Sequence, residues 1–367
     1  MKNKTITKNK LLLAFLVFPL ALLAKIVQFS FLSKKYFYDS EHILAVMNGS
    51  RFTDKSYSFT ANFFSAINVF GLSNIYQWSI ALSSIATIVL FVYLLKTKRV
   101  FTKKEYIFIY ATIFLLNIYV FNLSKEIIQI LIFAICALVI NSGRIKDIKI
   151  KIALISGIFV FESIYFRVYY LILATLVPII YFFIKNDKKI KPIKVILIVL
   201  SVFLLETFIA SVVLPDGYSQ IIAARSSVND MRIELGDKDA NTMIMEVFGR
   251  NGNFLTFSAN YVLDFFRLIF PIELFVKGVK YSVFAIYQIL LTSIVLASLK
   301  INKANTNEKI ALSIIIGFMM ISAIFEPDFG SYIRHQCCVV PILACVYCSN
   351  SKEVRNVKKD KRRINGK

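Results

Sequence analysis

The sequence predicts an all-α, polytopic integral membrane protein with about ten transmembrane helices. Of its 367 residues, 57% are hydrophobic, and the mean hydropathy is +0.66, which is more apolar surface than one soluble core can bury. Apolar stretches close to the length of a bilayer crossing recur along the chain, and every second loop between them is basic. We expect residues 1–367 to form a single membrane domain.

Ten apolar stretches are candidate crossings, because a helix needs about 20 mostly apolar residues to span the hydrocarbon layer. Several are shorter than that, so their ends are approximate. They run from Leu11 to Gln28, Gln77 to Leu95, Tyr106 to Phe121, Ile127 to Ile140, Ile152 to Tyr165, Val168 to Ile184, Val195 to Leu214, Tyr281 to Leu299, Ile310 to Phe325 and Cys337 to Cys348.

The basic residues predict the orientation, because short cytoplasmic loops collect Lys and Arg. With both termini in the cytoplasm, the net charge of +22 reflects topology and attraction to anionic membrane lipids, and we expect no nucleic-acid binding. Residues 351–367 then form a basic cytoplasmic tail. The basic segments are Lys2 to Lys10, Lys96 to Glu105, Arg144 to Lys151, Lys185 to Lys194, Lys300 to Lys309 and Ser351 to Lys367.

Missing motifs exclude several classes of protein. The chain has neither a Walker-type loop nor a glycine-rich dinucleotide fingerprint, so we expect neither an ATP-driven pump nor a bound cofactor. The five cysteines fall in or beside apolar stretches without zinc-site spacing, which indicates packing residues. The stretch from Leu22 to Val27 lacks a small-residue cleavage site, so the amino-terminal segment is expected to remain as a membrane anchor.

The unusual polar chemistry falls in the predicted external loops, from about Phe29 to Tyr76 and from 215 to 280. Within the second loop, Phe254 to Val276 is aromatic but interrupted by charges, which predicts a helix lying in the membrane interface. A guanidinium pairs bidentately with phosphate or carboxylate, so external arginines indicate an anionic ligand unless each pairs with an acidic neighbour. These arginines are Arg51, Arg167, Arg225, Arg232, Arg250, Arg267 and Arg334.

Charged residues also occur against apolar stretches, where an unpaired charge is costly. The tight turn "FNLSKEIIQ" holds Lys125 and Glu126, for which we expect either a salt bridge or a role in which Lys125 holds an acidic group while Glu126 takes a proton. Glu206 lies deep in the seventh crossing. It is either functional or paired with Lys25 or an arginine.

Two acidic pairs have the Asp-x-Asp-like spacing that can hold a divalent metal against a diphosphate. Asp39 and Glu41 follow the first crossing, and Asp237 and Asp239 lie in the long loop. Because three-residue patterns often arise by chance, we expect solvated loop charge and no metal site.

The polar segment "EPDFGSYIRHQ", from Glu326 to Gln336, is predicted to be an external turn between two apolar runs. With Pro341 after it, the "SKE" turn at Ser124 to Glu126, the number of crossings and the late external loop, the chain resembles bacterial O-antigen and capsular polysaccharide polymerases, which join oligosaccharide repeat units. The resemblance implies a GT-C-like fold in the bacterial cytoplasmic membrane.

The resemblance also implies the chemistry. The substrate would be an oligosaccharide repeat unit on undecaprenyl diphosphate, and a metal-independent glycosyltransferase would move the growing glycan onto a new unit outside the membrane, with a chain-length regulator protein as a further partner. Arg334 would bind diphosphate, while His335 would activate the acceptor hydroxyl or donate to phosphate. Glu126 completes the implied catalytic set. The implied substrate contacts are Arg167, Arg225, Arg232, Arg250 and Lys125.

Three alternatives stay open at this stage. His335 can be a structural histidine bonded to Glu326 or Asp328. A lipid-linked-sugar glycosyltransferase that adds a single sugar would depend instead on Asp39 and Glu41. A flippase or transporter would place its polar residues along a path through the bilayer, and we rank it third because most of the polar residues fall on one side.

Overall fold

A computed structural model of the chain confirms the all-helical fold class in the residues that it describes. In that part of the chain no strand occurs, and an isolated antiparallel bridge joins Met243 to Asp328. Arg225, Arg232, Arg250, the Asp237–Asp239 pair and the basic tail 351–367 lie outside the described residues. The described residues are 11–51, 54–97, 101, 103–186, 191–213, 215–216, 218–219, 228–230, 233–234, 242–249, 253–299 and 305–349.

The helices of the described residues follow the predicted apolar stretches with additional helices between them. Short 3-10 segments occupy Lys34–Phe37 and Ile272–Lys277. In chain order the α-helices are α1 (Val17–Phe31), α2 (Tyr38–Met47), α3 (Lys55–Ile67), α4 (Ile75–Lys96), α5 (Lys103–Tyr119), α6 (Glu126–Asn141), α7 (Ile148–Tyr165), α8 (Tyr170–Ile184), α9 (Pro192–Val213), α10 (Phe254–Ile269), α11 (Val279–Leu299), α12 (Thr306–Phe325), α13 (Phe329–Cys337) and α14 (Val340–Ser349).

Side-chain caps explain where several helices begin. Asp54, Asn74 and Asn253 each accept a hydrogen bond from a backbone N–H in the first turn of α3, α4 and α10 respectively. At the start of α12, Asn305 and Glu308 bond to each other's backbone N–H groups and form a capping box. Short polar residues therefore set the helix starts in loops that precede apolar runs.

Within the described residues, five helical segments are long and apolar enough to cross a membrane, so the chain is a multi-pass membrane protein. α13 and α14, bent by 57° at a short break, make a sixth if they form one broken span. α6, α8 and the part of α5 from Glu105 are apolar but shorter than a full crossing, so the number of ten stays a prediction. The five are Leu11–Phe31, Ile75–Lys96, Ile193–Val213, Tyr281–Leu299 and Thr306–Phe325.

Two segments that the sequence presents as external loops contain helices. The stretch after α1 holds α2 and α3, and the motif from Glu326 to Gln336 forms α13 rather than a simple turn. The motif becomes helical because the Asp328 side chain accepts a hydrogen bond from Ser331 N at 2.7 Å, which satisfies a donor of the first turn.

The chain divides into two compact units. The first comprises Met1–Ile135, Phe161–Val168 and Cys337–Lys367. In it α1 packs against α4 and α5, and α2 packs against α3. One buried apolar cluster of this unit consists of Ile43, Tyr57, Ala61, Phe64, Trp78 and Leu123. It joins α2 and α3 to α4 and to the turn that precedes α6.

The second unit comprises Cys136–Val160 and Tyr169–Gln336. α12 is its central helix, because every residue from Glu308 to Ile324 is buried. α8 packs closely on α12 at Gly317, where an added Cβ would lie 2.8 Å from Leu173 Cδ1. This packing fixes the end of α12, where the polar motif begins.

Candidate active site

The motif at the end of α12 brings His335 onto Glu326, nine residues away. Glu326 is the C-cap of α12, and α13 begins three residues later. The short connection between α12 and α13 places His335 Nδ1 in hydrogen-bond contact with Glu326 Oε1. Glu326 is therefore the partner of His335. Asp328, the other candidate acid, caps α13 instead.

Burial determines what this pair can do. His335 and Glu326 are 5% and 4% exposed. An ionised carboxylate has only acceptor oxygens, so the Nδ1 atom facing it must carry the imidazole proton. The Nε2 atom then keeps its lone pair, which is the arrangement of a general base, and the carboxylate stabilises the imidazolium that forms when Nε2 takes a proton.

Arg334 precedes His335 on α13 and is half-buried. Successive residues of an α-helix point about 100° apart, so the two side chains leave the helix in different directions. Arg334 and His335, to which the resemblance assigns diphosphate binding and hydroxyl activation, lie on the same short helix.

A strap from the long loop that the sequence predicts to be external, Thr242–Ile244, is held against the motif. Ile244 N donates to Pro327 O, and Phe329 N donates to Thr242 O, both at 3.0 Å. Sequence analysis missed this contact, because pairing through backbone atoms leaves no pattern of side chains to detect.

A second polar cluster, in the first unit, surrounds Lys125 of the "SKE" turn. Lys125 Nζ lies 3.5 Å from Asp39 Oδ1 and 3.8 Å from the centre of the Tyr57 ring, and the Tyr57 hydroxyl donates to Asp39. Burial and the Asp39 carboxylate raise the pKa of the Tyr57 phenol, so it remains a donor at neutral pH. The expected salt bridge of Lys125 is confirmed, with Asp39 as its partner.

Glu126, the third predicted catalytic residue, is fully buried at the first position of α6. The positive end of the helix dipole favours a carboxylate there. Its role in proton transfer stays a prediction.

Arg167 is half-buried in the first unit, with its guanidinium carbon 5.3 Å from the centre of the Phe166 ring. That separation is typical of a cation–π contact. Its predicted role in substrate binding stays a prediction, as do those of Arg225, Arg232 and Arg250, which lie outside the described residues.

For Arg267 the interpretation as a ligand-binding arginine is wrong. Its Nε and Nη2 atoms donate to both carboxylate oxygens of Glu273 at 2.9 and 2.8 Å, and Nη1 donates to Asp264 Oδ1 at 2.9 Å. Burial alone would lower the pKa of this guanidinium, but the two acids outweigh burial and hold that pKa above its ordinary value. Arg267 therefore joins α10 to the 3-10 segment that follows.

Lys25, in the first candidate span, donates hydrogen bonds to neutral groups. Its partner is not the Glu206 carboxylate, which the sequence analysis considered. Glu206 accepts a hydrogen bond from Thr175 Oγ1 at 3.2 Å. No sequence pattern signals the partners of Lys25, because they come from α1, α4 and the end of α5. Five oxygens lie 2.6–3.1 Å from Lys25 Nζ: Gln28 Oε1, Ser79 Oγ, Asn117 O, Phe121 O and Asn122 Oδ1.

Comparison with protein-family models, with curated proteins and with solved structures finds no match to this chain. The polar clusters around His335 and Lys125 are therefore the features of the chain that bear on its function.

Proposed function

We propose that this chain is a glycosyltransferase that polymerises oligosaccharide repeat units carried on undecaprenyl diphosphate at the outer face of the bacterial cytoplasmic membrane. The observation that carries the proposal is the buried pair of His335 and Glu326, with Arg334 on the same helix. The reaction needs a general base and a cation together, because a hydroxyl loses its proton while a diphosphate gains charge. About ten crossings, a GT-C-like fold and cytoplasmic termini belong to the same proposal.

In the proposed step, a hydroxyl of the acceptor sugar attacks the anomeric carbon of the donor glycan. A new carbon–oxygen bond forms there, and the bond from that carbon to the diphosphate oxygen breaks. His335 Nε2 takes the hydroxyl proton, and Glu326 stabilises the resulting imidazolium. The lipid diphosphate leaves with the bonding electrons, and Arg334 neutralises its added charge. The donor brings its own leaving group, so the step includes neither a nucleotide sugar nor a metal.

Other cationic side chains are the proposed contacts to the phosphates of the lipid substrate and to membrane headgroups. Because guanidinium and ammonium groups bind phosphate oxygens, these contacts would hold donor and acceptor lipids at the outer interface. They are Arg167, Arg225, Arg232, Arg250 and Lys125. A chain-length regulator protein is the proposed protein partner.

A second candidate, a glycosyltransferase that adds a single sugar from a lipid-linked donor, is favoured by the cluster around Asp39. The Asp39 carboxylate is oriented by Tyr57 and kept ionised by Lys125. A carboxylate held in this way can deprotonate an acceptor hydroxyl. Asp39 is then the general base, and one sugar is added instead of many repeats.

Two substitutions separate these candidates. If the chain is the polymerase, Arg334→Ala lowers the amount of polymer by about 100-fold and leaves single repeat units at the surface, because the departing diphosphate loses its cation. Asp39→Asn then leaves repeat units complete and polymer present. If the chain adds a single sugar, Asp39→Asn removes one sugar from every unit, and Arg334→Ala leaves the chains long.

The measurement is surface glycan length by gel electrophoresis, with sugar composition by mass spectrometry, in a deletion strain complemented with each variant. Equal amounts of protein in the membrane are required, so that a folding defect is not read as lost activity. Arg144→Ala, at an exposed arginine on the opposite predicted side, is the matched control and is expected to make normal polymer.

A further inference from the structure

A buried polar layer lies beside the pair of His335 and Glu326 in the second unit. Tyr332 and Gln336 of α13 are four residues apart and so share a face of that helix. α12 adds Ser322, and α11 adds Gln288. All four are buried, Tyr332 and Gln288 completely. Tyr332 lies three residues before His335 on α13, and Gln336 directly follows His335, so the layer adjoins the proposed general base.

Hydrogen bonds fix the orientation of both amides in this layer. Ser322 Oγ donates its proton to Phe318 O at 2.7 Å, so it can only accept from Gln336, whose Nε2 lies 3.3 Å away. Thr292 Oγ1 likewise donates to Ile269 O and accepts from Gln288 Nε2 at 3.3 Å. In each glutamine the nitrogen is therefore the bonded atom, and the oxygen faces away from its hydroxyl partner.

The two amide oxygens lack donors. Among the described residues, neither Gln336 Oε1 nor Gln288 Oε1 accepts a hydrogen bond, although both atoms are buried. A buried acceptor without a donor costs about 1–3 kcal/mol, and nearly all buried polar atoms of folded proteins have a partner. The Tyr332 hydroxyl of the layer itself lies beside Gln288. Besides that hydroxyl, the layer is thus suited to receive O–H or N–H groups of a bound molecule.

The charges around the layer limit which donors it can take. Its side chains are amides and hydroxyls, and the carboxylate of Glu326 acts on its Tyr332 phenol. A phosphate would be repelled there, whereas neutral sugar hydroxyls donate readily to amide oxygens.

We propose that Gln288 and Gln336 bind hydroxyl groups of the acceptor sugar and so place its reacting hydroxyl at His335. This inference rests on the proposed polymerase function and adds the acceptor subsite to it. Arg334 takes the phosphates of the donor, and the amide layer takes a neutral polyol. The layer is closed in this structure, so binding requires the packing around it to open.

Variants of the two glutamines test the subsite. Gln336→Met and Gln288→Met keep the side-chain shape and remove the acceptor oxygen, so each is expected to raise KM for the acceptor about tenfold with little change in kcat. Ser313→Ala is the matched control, because Ser313 is a buried serine of α12 that lies outside the layer and donates to the backbone oxygen of Lys309 in the same helix. It is expected to keep KM within about twofold of wild type.

The assay uses membranes that contain the full-length protein and the lipid-linked repeat unit extracted from a deletion strain. If neither glutamine variant changes KM while His335→Ala is inactive, the layer holds ordered water only. The acceptor subsite is then overturned, and the proposed function stands. If His335→Ala is fully active, the proposed function fails first. Equal losses in Gln336→Met and Ser313→Ala indicate a structural effect of changing this helix bundle and also overturn the subsite. Should Gln336→Met not fold, Gln288→Met makes the same test from a different helix.

Discussion

Replacing His335 with alanine is expected to lower the rate of glycan polymer formation by about 10²- to 10⁴-fold, which is the usual contribution of a general base. Single repeat units should accumulate, because only the joining step is lost. Glu326→Gln is expected to cause a smaller loss, since the amide oxygen still accepts from Nδ1 but no longer stabilises the imidazolium by charge. The measurement is polymer formed over time by membranes that contain each variant.

The control for this prediction is the other histidine. His42 is half-buried on α2, and its Nδ1 atom contacts the backbone oxygen of Tyr38 in the same helix, 2.9 Å away. His42→Ala is expected to form polymer at a rate within about twofold of wild type. Wild-type polymer from His335→Ala would assign the pair with Glu326 a purely structural role.

Replacing Lys25 with methionine is expected to have the largest effect on stability. The ammonium lies among five oxygens inside the first candidate span. Asn122 Oδ1 and Gln28 Oε1 keep other donors when the ammonium is lost. The backbone oxygens of Asn117 and Phe121 lose this donor in a place where water is scarce. We expect the free energy of unfolding to fall by about 3 kcal/mol, since each buried acceptor left unsatisfied costs about 1–3 kcal/mol and part of the network rearranges. Thermal unfolding of the purified protein in detergent measures the loss.

Lys34→Met provides the matched control, because Lys34 is an exposed lysine in the segment just after α1. Its unfolding temperature is expected to remain near that of wild type. If the two variants unfold at the same temperature, the oxygens around Lys25 are satisfied in another way and the network does not stabilise the first unit.

Hydropathy alone predicts the long apolar helices, because length and composition are local properties of the sequence. α4 and α12 lie where the sequence places crossings and begin at polar caps. The helical form of the motif was missed, although Asp328 with Ser331 three residues later is a local signal of a helix start. The polar composition of the motif, from Glu326 to Gln336, favours a turn and so hides that signal.

The contacts that build the two clusters could be predicted only where the sequence limits the choice of partners. His335 had two nearby acids, and the structure selects Glu326. Lys125 lies far along the chain from Asp39, and only the packing of α2 and α3 under the turn joins them. Arg267 is the opposite case. Its acidic partners, Asp264 and Glu273, lie within six residues of it, so its pairing could have been predicted from the sequence alone.

The buried amides could not be found from the sequence. Gln288 interrupts an apolar run as a single polar residue, which many membrane helices contain without any function, and Gln336 is simply the last residue of the polar motif. Their importance depends on which end of each amide is bonded, and that follows only from the positions of Ser322 and Thr292.

Sidedness of the motif gives the most direct test of the proposed enzyme, because the proposal places the joining of the lipid-linked glycan outside the cell membrane. Ser331 is half-buried on the first turn of α13, while Cys337 and Cys338 nearby are buried, so a cysteine at position 331 adds a distinct reactive thiol. In intact cells, Ser331→Cys is expected to react with a membrane-impermeant maleimide above the wild-type background. Reaction only after the membrane is permeabilised would place His335 and Arg334 in the cytoplasm and contradict the polymerase.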